Sequence, residues 1–168
     1  MAERILVVDD QRTNAEMVSG LLRNLGYEVE VALSGEEALQ AVRSKGTDLV
    51  ITDILMPGID GYELCRRLRA NPATALLPVV LVTSAEPQTE RVKGIEAGAD
   101  DFLAKPVNWA ELFGRVRRLL HVKALQDEIK ELNARLEERV RDQVAQLERL
   151  SRMKRFFSKA VAEAIVAG

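Results

Sequence analysis

The sequence has very few of the residues on which disulfide-bonded and histidine-based proteins depend. Its 168 residues include one cysteine, Cys65, and one histidine, His121. A single cysteine excludes an internal disulfide and is typical of a reducing compartment, so we expect a cytoplasmic protein. A single histidine argues against a histidine-ligated metal and against a Ser-His-Asp triad. Any chemistry must therefore rest on other side chains.

Long apolar runs and a strong charge of one sign are also absent. The apolar run at residues 76–82 is broken by Pro78 and is too short to cross a bilayer, and no signal peptide is visible. Residues 1–120 hold 14 Lys+Arg and 18 Asp+Glu, and residues 121–168 hold 10 and 8. Neither part is basic enough to indicate nucleic acid. We expect neither a membrane nor a nucleic-acid partner.

Short apolar runs alternate with amphipathic stretches through the first 120 residues. The runs have the length and β-branched content of buried strands, and helical periodicity follows each one. This alternation predicts an α/β fold with a doubly wound, five-stranded parallel sheet, whose functional site lies at the carboxyl ends of the strands. The predicted strands lie near residues 5–8, 29–31, 48–53, 78–82 and 102–104. The predicted helices lie near 17–25, where Met17, Val18, Leu21, Leu22 and Leu25 repeat at helical spacing, after a cap at Ser34, near 62–69 and 89–97, and from 108 onward. Ser34 with Glu37, and Asn108 with Glu111, have the spacing of capping boxes.

Polar side chains stand where the predicted strands end. Asp9 and Asp10 follow the first strand, Asp53 ends the third, Thr83 the fourth and Lys105 the fifth. Since the ends of parallel strands meet at one edge, these residues should converge. Three carboxylates in one pocket repel each other unless a cation joins them, and Mg²⁺ is the hard ion that suits oxygen ligands. The set suits phosphoryl transfer to a carboxylate.

These residues belong to four segments that together resemble the receiver domains of two-component response regulators. The resemblance covers residues 3–120. The segments are residues 5–10 (ILVVDD), 53–61 (DILMPGIDG), 82–85 (VTSA) and 98–106 (GADDFLAKP). It implies a flavodoxin-like (βα)5 receiver domain at residues 1–120, which accepts phosphate from a sensor histidine kinase or a phosphotransfer protein.

The resemblance also implies a role for each site residue. Asp53 is the phosphoacceptor, and Mg²⁺ is held by Asp9, Asp10, Asp53 and the carbonyl of Leu55. Thr83 and Lys105 engage the phosphoryl group, and Thr83 and Phe102 act as switch residues. The Lys105–Pro106 bond is expected to be cis. Leu55 and Ala85 stand at the two positions that tune signal lifetime, and neither can hydrogen-bond an attacking water, so hydrolysis is not expected to be specially accelerated.

The last predicted helix has no stop signal. No proline follows Pro106, and no glycine occurs between Gly114 and Gly168. Residues 108–153 would form one helix about 70 Å long. An apolar seam lies on it, formed by Leu125, Ile129, Leu132, Leu136, Val140, Val144 and Leu147. Charged faces beside such a seam predict a parallel homodimeric coiled coil through residues 119–153, with a signalling helix at 121–153. The 11-residue spacing from Leu125 to Leu136 to Leu147 predicts little left-handed supercoil, and a solvated single helix or a bundle helix is the alternative.

Residues 154–168 are predicted to form a short amphipathic segment that leads to an output domain absent from this sequence. Phe157, Val161 and Ile165 repeat at helical spacing. Residues 152–166 are similar to the stretch before class III adenylate or guanylate cyclase domains, although Lys159 stands where a proline is common. The chain itself is not expected to be an enzyme. The alternatives are the same module regulating a diguanylate cyclase, a phosphodiesterase or a kinase, or a stand-alone adaptor.

Overall fold

Strands and helices alternate along the chain. A computed structural model describes residues 2–84 and 87–167, and the elements within them follow each other in strict βα order. They are β1 (Arg4–Val8), α1 (Arg12–Asn24), β2 (Glu28–Ala32), α2 (Gly35–Lys45), β3 (Leu49–Asp53), α3 (Gly61–Ala70), β4 (Val79–Thr83), α4 (Pro87–Ala97), β5 (Asp101–Ala104) and α5 (Trp109–Ala167).

The five strands form one parallel sheet in the order β2-β1-β3-β4-β5. Each of the strands β2 to β5 is reached by a helical crossover, and the central strands are apolar on both faces because helices cover both. The predicted doubly wound, flavodoxin-like fold is confirmed. The order reverses between β1 and β3, which opens a crevice beyond the carboxyl ends of the strands.

Two apolar clusters lie on opposite faces of the sheet. One contains Leu6, Val50 and Leu81 with the buried residues of α2 and α3. The other contains Ile5 and Ile51 with buried residues of α1 and of the first part of α5. Because successive strand residues point to opposite faces, alternate residues of one strand supply the two clusters.

Helix caps explain why several helices start where they do. The Ser34 hydroxyl accepts the Glu37 amide at 3.1 Å, and the Asn108 side chain accepts the Glu111 amide at 3.2 Å. Both predicted N-caps are confirmed, but the glutamates of the two predicted capping boxes bind other groups: Glu37 accepts the Leu33 amide at 2.8 Å, and Glu111 pairs with Arg115. Asp60 caps α3 in the same way by accepting the Glu63 amide at 2.8 Å, and the sequence analysis did not identify it.

The apolar residues whose helical spacing predicted α1 are not all buried. Met17 is 54% exposed and Leu25 is 49% exposed, whereas Ala15, Ser19 and Leu22 are fully buried. Those three lie on one row at i, i+4 and i+7, and Met17 lies two residues from Ala15 and Ser19, which is more than half a helical turn away from that row. The buried face of α1 therefore uses small residues where the sequence offered larger ones.

Helix α5 is continuous over 59 residues, Trp109–Ala167. The amphipathic segment predicted after residue 153 is helical and continues α5, since no proline or glycine interrupts the backbone there. The chain divides into two units, Met1–Ala124 and Leu125–Gly168. Every residue from 127 to 167 is exposed. None of the described helices combines the length and the apolar content that a bilayer crossing requires.

Candidate functional site

The five polar residues predicted to converge lie at one edge of the sheet. Asp9 and Asp10 follow β1, Asp53 is the last residue of β3, Thr83 is the last residue of β4, and Lys105 directly follows β5. The three carboxylates each offer an oxygen, and these oxygens lie within 4.8 Å of one another. The parallel topology thus assembles the cluster from residues up to 44 positions apart in the sequence.

Hydrogen bonds fix the Asp53 carboxylate at the centre of the site. One carboxylate oxygen accepts the Ile54 amide at 2.9 Å, and the other accepts the Lys105 ammonium at 3.2 Å. The backbone amide of Lys105 also donates to the Thr83 carbonyl at 2.7 Å, so β4 and the end of β5 are joined beside the carboxylate. The peptide bond between Lys105 and Pro106 is cis.

The loop after Asp53 returns the chain tightly against the strand it left. The Gly61 amide donates to the Ile54 carbonyl at 2.9 Å. A Cβ atom at Gly61 would lie 2.5 Å from the Asp53 carbonyl oxygen, so only glycine allows this approach. Leu55, whose carbonyl is the predicted fourth ligand, lies in this loop with its side chain 65% exposed.

Burial and like charge act together on Asp9. It is 7% exposed, and burial raises the pKa of its carboxyl, while the Gln11 amide at 2.9 Å lowers it and the charge of Asp53 raises it further. A desolvated carboxylate with carboxylate neighbours is a costly arrangement that a divalent cation relieves. The donor set is all oxygen, and it fits Mg²⁺ better than softer metals.

The two predicted switch residues, Thr83 and Phe102, are buried on the neighbouring strands β4 and β5. Thr83 is 1% exposed and Phe102 is 7% exposed. In the register of β4 and β5, Thr83 pairs with Ala104, and Phe102 pairs with Leu81. Ala85, predicted to influence signal lifetime, lies outside the described residues.

An apolar cleft adjoins the site on the side of α1 and α5. Its volume is about 330 Å³, and three residues of the site, Asp9, Asp53 and Lys105, also line the cleft. Met17 and Trp109 line its apolar part. The sequence analysis missed this cleft, although the only tryptophan of the chain lies four residues after Lys105.

A second feature that the sequence analysis missed joins β5 to α5. The Asp101 carboxylate, only 9% exposed, pairs with the guanidinium groups of Arg115 and Arg118. Arg115 also binds Glu111 at 2.6 Å. Asp101 directly precedes Phe102, so the residue beside the predicted switch aromatic is tied to the final helix by charge. The acidic pair Asp100 and Asp101 can be seen in the sequence, but the arginines that pair with Asp101 can be identified only from the fold.

Comparison with known proteins identifies the domain. The response regulator receiver domain family matches residues 5–117. The chain is 40% identical over 134 residues to the response regulator PleD of Caulobacter vibrioides, and 43% identical over 128 residues to the response regulator MprA of Mycobacterium ulcerans. It spans 80% of its own length in the first match but only 30% of PleD, and 76% of its own length but 54% of MprA.

A solved structure shows the same fold at similar identity. The crystal structure of a response regulator from Chloroflexus aurantiacus is 46% identical, with a TM-score of 0.69, and the match covers 72% of this chain and 99% of that one. The fold, the converging polar residues and these matches all concern the same part of the sequence. Through residues 5–117, the chain belongs to the response-regulator receiver domains of two-component signalling.

Proposed function

We propose that Asp53 is the residue that accepts the phosphoryl group. The observation that carries this proposal is the meeting of three carboxylates within 4.8 Å beside the Lys105 ammonium, which lies 3.2 Å from Asp53. A carboxylate oxygen of Asp53 attacks the phosphorus of a phosphohistidine, the P–N bond breaks, and an acyl phosphate forms. The phosphodonor we propose is a sensor histidine kinase or a phosphotransfer protein.

The surrounding residues have the chemistry that this transfer needs. Asp9, Asp10, Asp53 and the Leu55 carbonyl would hold Mg²⁺, which when bound offsets negative charge on the phosphoryl oxygens. Lys105 supplies a positive charge, and the Thr83 hydroxyl supplies a hydrogen-bond donor. The Leu55 side chain offers no group that could orient water, so we expect the acyl phosphate to hydrolyse without special acceleration.

Labelling of single-residue variants tests the assignment of Asp53. Acetyl phosphate with Mg²⁺ should label the wild-type chain, as seen by phosphoprotein electrophoresis, and Asp53→Asn should abolish the label. Asp60→Asn is the matched control, since Asp60 caps α3 and asparagine caps a helix equally well. Undiminished labelling of Asp53→Asn would reject the assignment. Loss of labelling on removal of Mg²⁺ is expected as well.

We further propose that a second copy of the chain covers the seam of α5, so that a parallel homodimeric coiled coil forms within the predicted range of residues 119–153. Leu119 and Leu120, at the start of that range, pack in the receiver core, so the seam that the second copy covers begins at Leu125. The seam side chains are large and exposed: Leu125 is 46%, Ile129 58% and Leu136 57% accessible. The positions between them are mainly Glu, Arg, Gln and Lys, which suit the outside of a two-stranded coil. An exposed apolar stripe with this regular spacing is unfavourable for a single helix in water.

Light scattering on seam variants tests the dimer. The full chain should be a dimer at micromolar concentration, and the double variant Leu132→Glu with Leu136→Glu should be a monomer. Ala134→Glu, which adds one glutamate outside the seam, should remain a dimer, and each single variant, Leu132→Glu or Leu136→Glu, should weaken the dimer more than Ala134→Glu does. A monomeric wild-type chain rejects the proposal, and a dimeric double variant would assign the dimer to the receiver unit.

We propose that phosphorylation changes how the two long helices contact each other. Asp101, one residue before Phe102, is held by Arg115 and Arg118 of α5, so a change at β5 is felt at the start of that helix. Near the middle of the seam, either Arg139 or Val140 can face inward. The two resulting registers of the coiled coil can differ in free energy by on the order of a few kcal/mol, a difference that a ligand or a modification can overcome by shifting their populations. Cysteine-crosslink distances at positions 136, 140 and 147, with and without beryllofluoride, test this. If the protein binds beryllofluoride and the distances do not change, the long helices serve only to tether the two output domains.

The output that we propose is a class III nucleotide cyclase domain. The support is the similarity of residues 152–166 to the stretch before such domains, and above all the exposed aromatic pair Phe156 and Phe157. Cyclase activity of the full gene product, with and without Asp53→Asn, tests the proposal. A diguanylate cyclase, phosphodiesterase or kinase activity in that product would replace it. A product without any output domain would favour a stand-alone adaptor.

A further inference from the structure

Helix α4 rests on the sheet through very few of its own side chains. Among its described side chains, only Gly94 and Ala97 are buried, and Val92 and Ile95 are 56% and 69% exposed. A Cβ atom at Gly94 would lie 3.3 Å from the Leu81 side chain, so the helix approaches the sheet with its backbone. Since burial of apolar side chains is what usually fixes a surface helix, α4 depends on other contacts for its position.

Helix α3 supplies those contacts at both ends of α4. At the C-terminal end, the Arg69 guanidinium donates to the Gly98 carbonyl at 2.8 Å and pairs with Asp100 at 2.6 Å. At the N-terminal end, the Tyr62 hydroxyl lies 3.2 Å from the Glu90 carbonyl oxygen and donates to the Glu90 carboxylate. The first contact uses several hydrogen bonds of one planar cation, whereas the second depends on a single hydroxyl.

The Tyr62 contact is largely shielded from water. Tyr62 is 8% exposed, and its ring belongs to the apolar cluster on that face of the sheet. Burial raises the pKa of the Tyr62 hydroxyl, and the hydrogen bond to Glu90 raises it further, so the hydroxyl keeps its proton and remains a donor. A shielded hydrogen bond to a carboxylate is stronger than an exposed one, and its loss leaves a polar group poorly satisfied.

This contact also joins the two helices that follow β3 and β4, the strands that carry Asp53 and Thr83. Tyr62 follows Gly61, which lies against the Asp53 carbonyl. Glu90 lies seven residues after Thr83, in the helix that follows the β4 strand. Because each partner lies on the helix that follows a different site residue, we expect a displacement at Asp53 or at Thr83 to change the separation of the two partners.

We propose that the hydrogen bond between Tyr62 and Glu90 is a latch that holds the N-terminal half of α4 on α3 in the unphosphorylated receiver. The latch opens when Asp53 is phosphorylated. Helix α4 then rotates about its C-terminal end, where the contacts of Arg69 with Gly98 and Asp100 remain in place. The opening step rests on the proposed role of Asp53. The restraint of α4 by Tyr62 in the resting protein does not.

Hydrogen exchange on the full chain tests the restraint. Tyr62→Phe keeps the ring and removes the hydroxyl. The amides of Arg91, Val92 and Lys93 should then exchange faster by about tenfold or more, since about tenfold is the lower end of the change that one hydrogen bond to a charged group gives. Those of Glu96 and Ala97, near the Arg69 end, should change little. Tyr27→Phe, the same change at the other tyrosine of the chain, should leave α4 unaltered. Glu90→Gln keeps an acceptor and should have a smaller effect than Glu90→Ala. Unchanged exchange in Tyr62→Phe overturns the latch.

Beryllofluoride binding tests the opening. If the phosphorylated state has an open latch, then removing the latch favours that state, and Tyr62→Phe should bind beryllofluoride with Mg²⁺ up to tenfold more tightly than wild type. Equal or weaker binding by Tyr62→Phe, alongside normal binding by wild type and Tyr27→Phe, overturns the regulatory role. Failure of the wild-type chain itself to bind beryllofluoride would count against the Asp53 assignment, and the exchange result would still decide whether Tyr62 restrains α4.

Discussion

Leucines on the same helix have opposite environments in the two units of the molecule. Leu112 and Leu119 of α5 lie in the receiver unit and are 1% and 9% exposed, whereas Leu132 and Leu136 lie in the C-terminal unit and are 46% and 57% exposed. The receiver unit satisfies its apolar pattern within itself, because helices cover both faces of its sheet. The C-terminal unit has the pattern but not the cover. An apolar stripe of regular spacing therefore carries different information in the two units: in one it describes a core, and in the other it predicts a partner.

The largest expected effect comes from one substitution made in both units. Leu112→Ala should lower the free energy of unfolding by about 3 kcal/mol or more, because it leaves a cavity in a closed core. Leu136→Ala should change receiver unfolding by less than about 0.5 kcal/mol, as for other exposed positions, and should weaken the dimer instead. Urea unfolding followed by Trp109 fluorescence, together with sedimentation, separates the two results. Equal losses of receiver stability would show that the two units are not independent.

The next effect concerns the carboxylate cluster, which the C-terminal unit lacks among its described residues. Mg²⁺ at a hundredfold excess over its dissociation constant should stabilise the receiver by about 2.7 kcal/mol, and Asp9→Asn should lose most of this gain. Thermal unfolding with and without Mg²⁺ measures both quantities. Asn14→Ala, a change in the adjoining cleft outside the carboxylate set, serves as the control and should keep the response to Mg²⁺.

Asp9→Asn also leads to a prediction about how stability depends on pH in the absence of Mg²⁺. Because burial raises the pKa of Asp9 in the folded state, the ionised carboxylate costs stability once the pH exceeds that raised pKa, and this cost is absent below the pKa of the unfolded chain. Asp9→Asn should therefore be more stable than wild type at pH 7 in the absence of Mg²⁺. The difference should shrink as the pH falls through the range of carboxyl titration. A wild-type chain that is the more stable one at pH 7 would contradict the repulsion argument.

Alanine substitutions at two glycines, Gly61 and Gly114, should have smaller effects on stability, and the two effects should have opposite signs. Gly61→Ala would place a methyl group 2.5 Å from the Asp53 carbonyl oxygen, so the end of β3 must shift, at a cost of about 1 to 3 kcal/mol. We expect slower labelling by acetyl phosphate as well, since Asp53 moves with that strand end. Chemical unfolding and labelling rates measure the two effects. Normal stability together with normal labelling would show that the loop tolerates a side chain.

The smallest expected effect is a gain. Gly114 lies in α5 with open space around it, and Gly114→Ala should stabilise the receiver by roughly 0.5 to 1 kcal/mol because alanine loses less backbone freedom in a helix. Thermal unfolding of the receiver checks the sign. A loss of stability would indicate that a neighbour, such as a second chain, occupies the space beside Gly114.

Much of the receiver could be predicted because its local and global signals agree. The apolar runs, the caps at Ser34 and Asn108, and the polar residues at strand ends all indicate the same parallel sheet, and the structure places them there. In α1 the spacing of the apolar residues located the helix but did not identify its buried face, because the large side chain of Met17 is exposed and the small one of Ala15 is buried. The contacts of Tyr62 with Glu90 and of Asp101 with Arg115 could not be predicted, because residues 28 and 14 positions apart meet only after the sheet has formed.

The sequence by itself determined the periodicities, the helix starts and the identity of the groups that end the strands, because these depend on neighbouring residues and on the polarity of each side chain. The absence of proline after Pro106, and of glycine between Gly114 and Gly168, likewise determined that α5 would continue past the receiver. Only the tertiary structure decided which side chains became neighbours. It brought Asp9 and Asp53 together, buried Asp9 enough to raise its pKa, and left α4 held at both ends by α3. The physical reason is that burial and long-range contacts depend on how the elements pack, and packing is a property of the whole sheet.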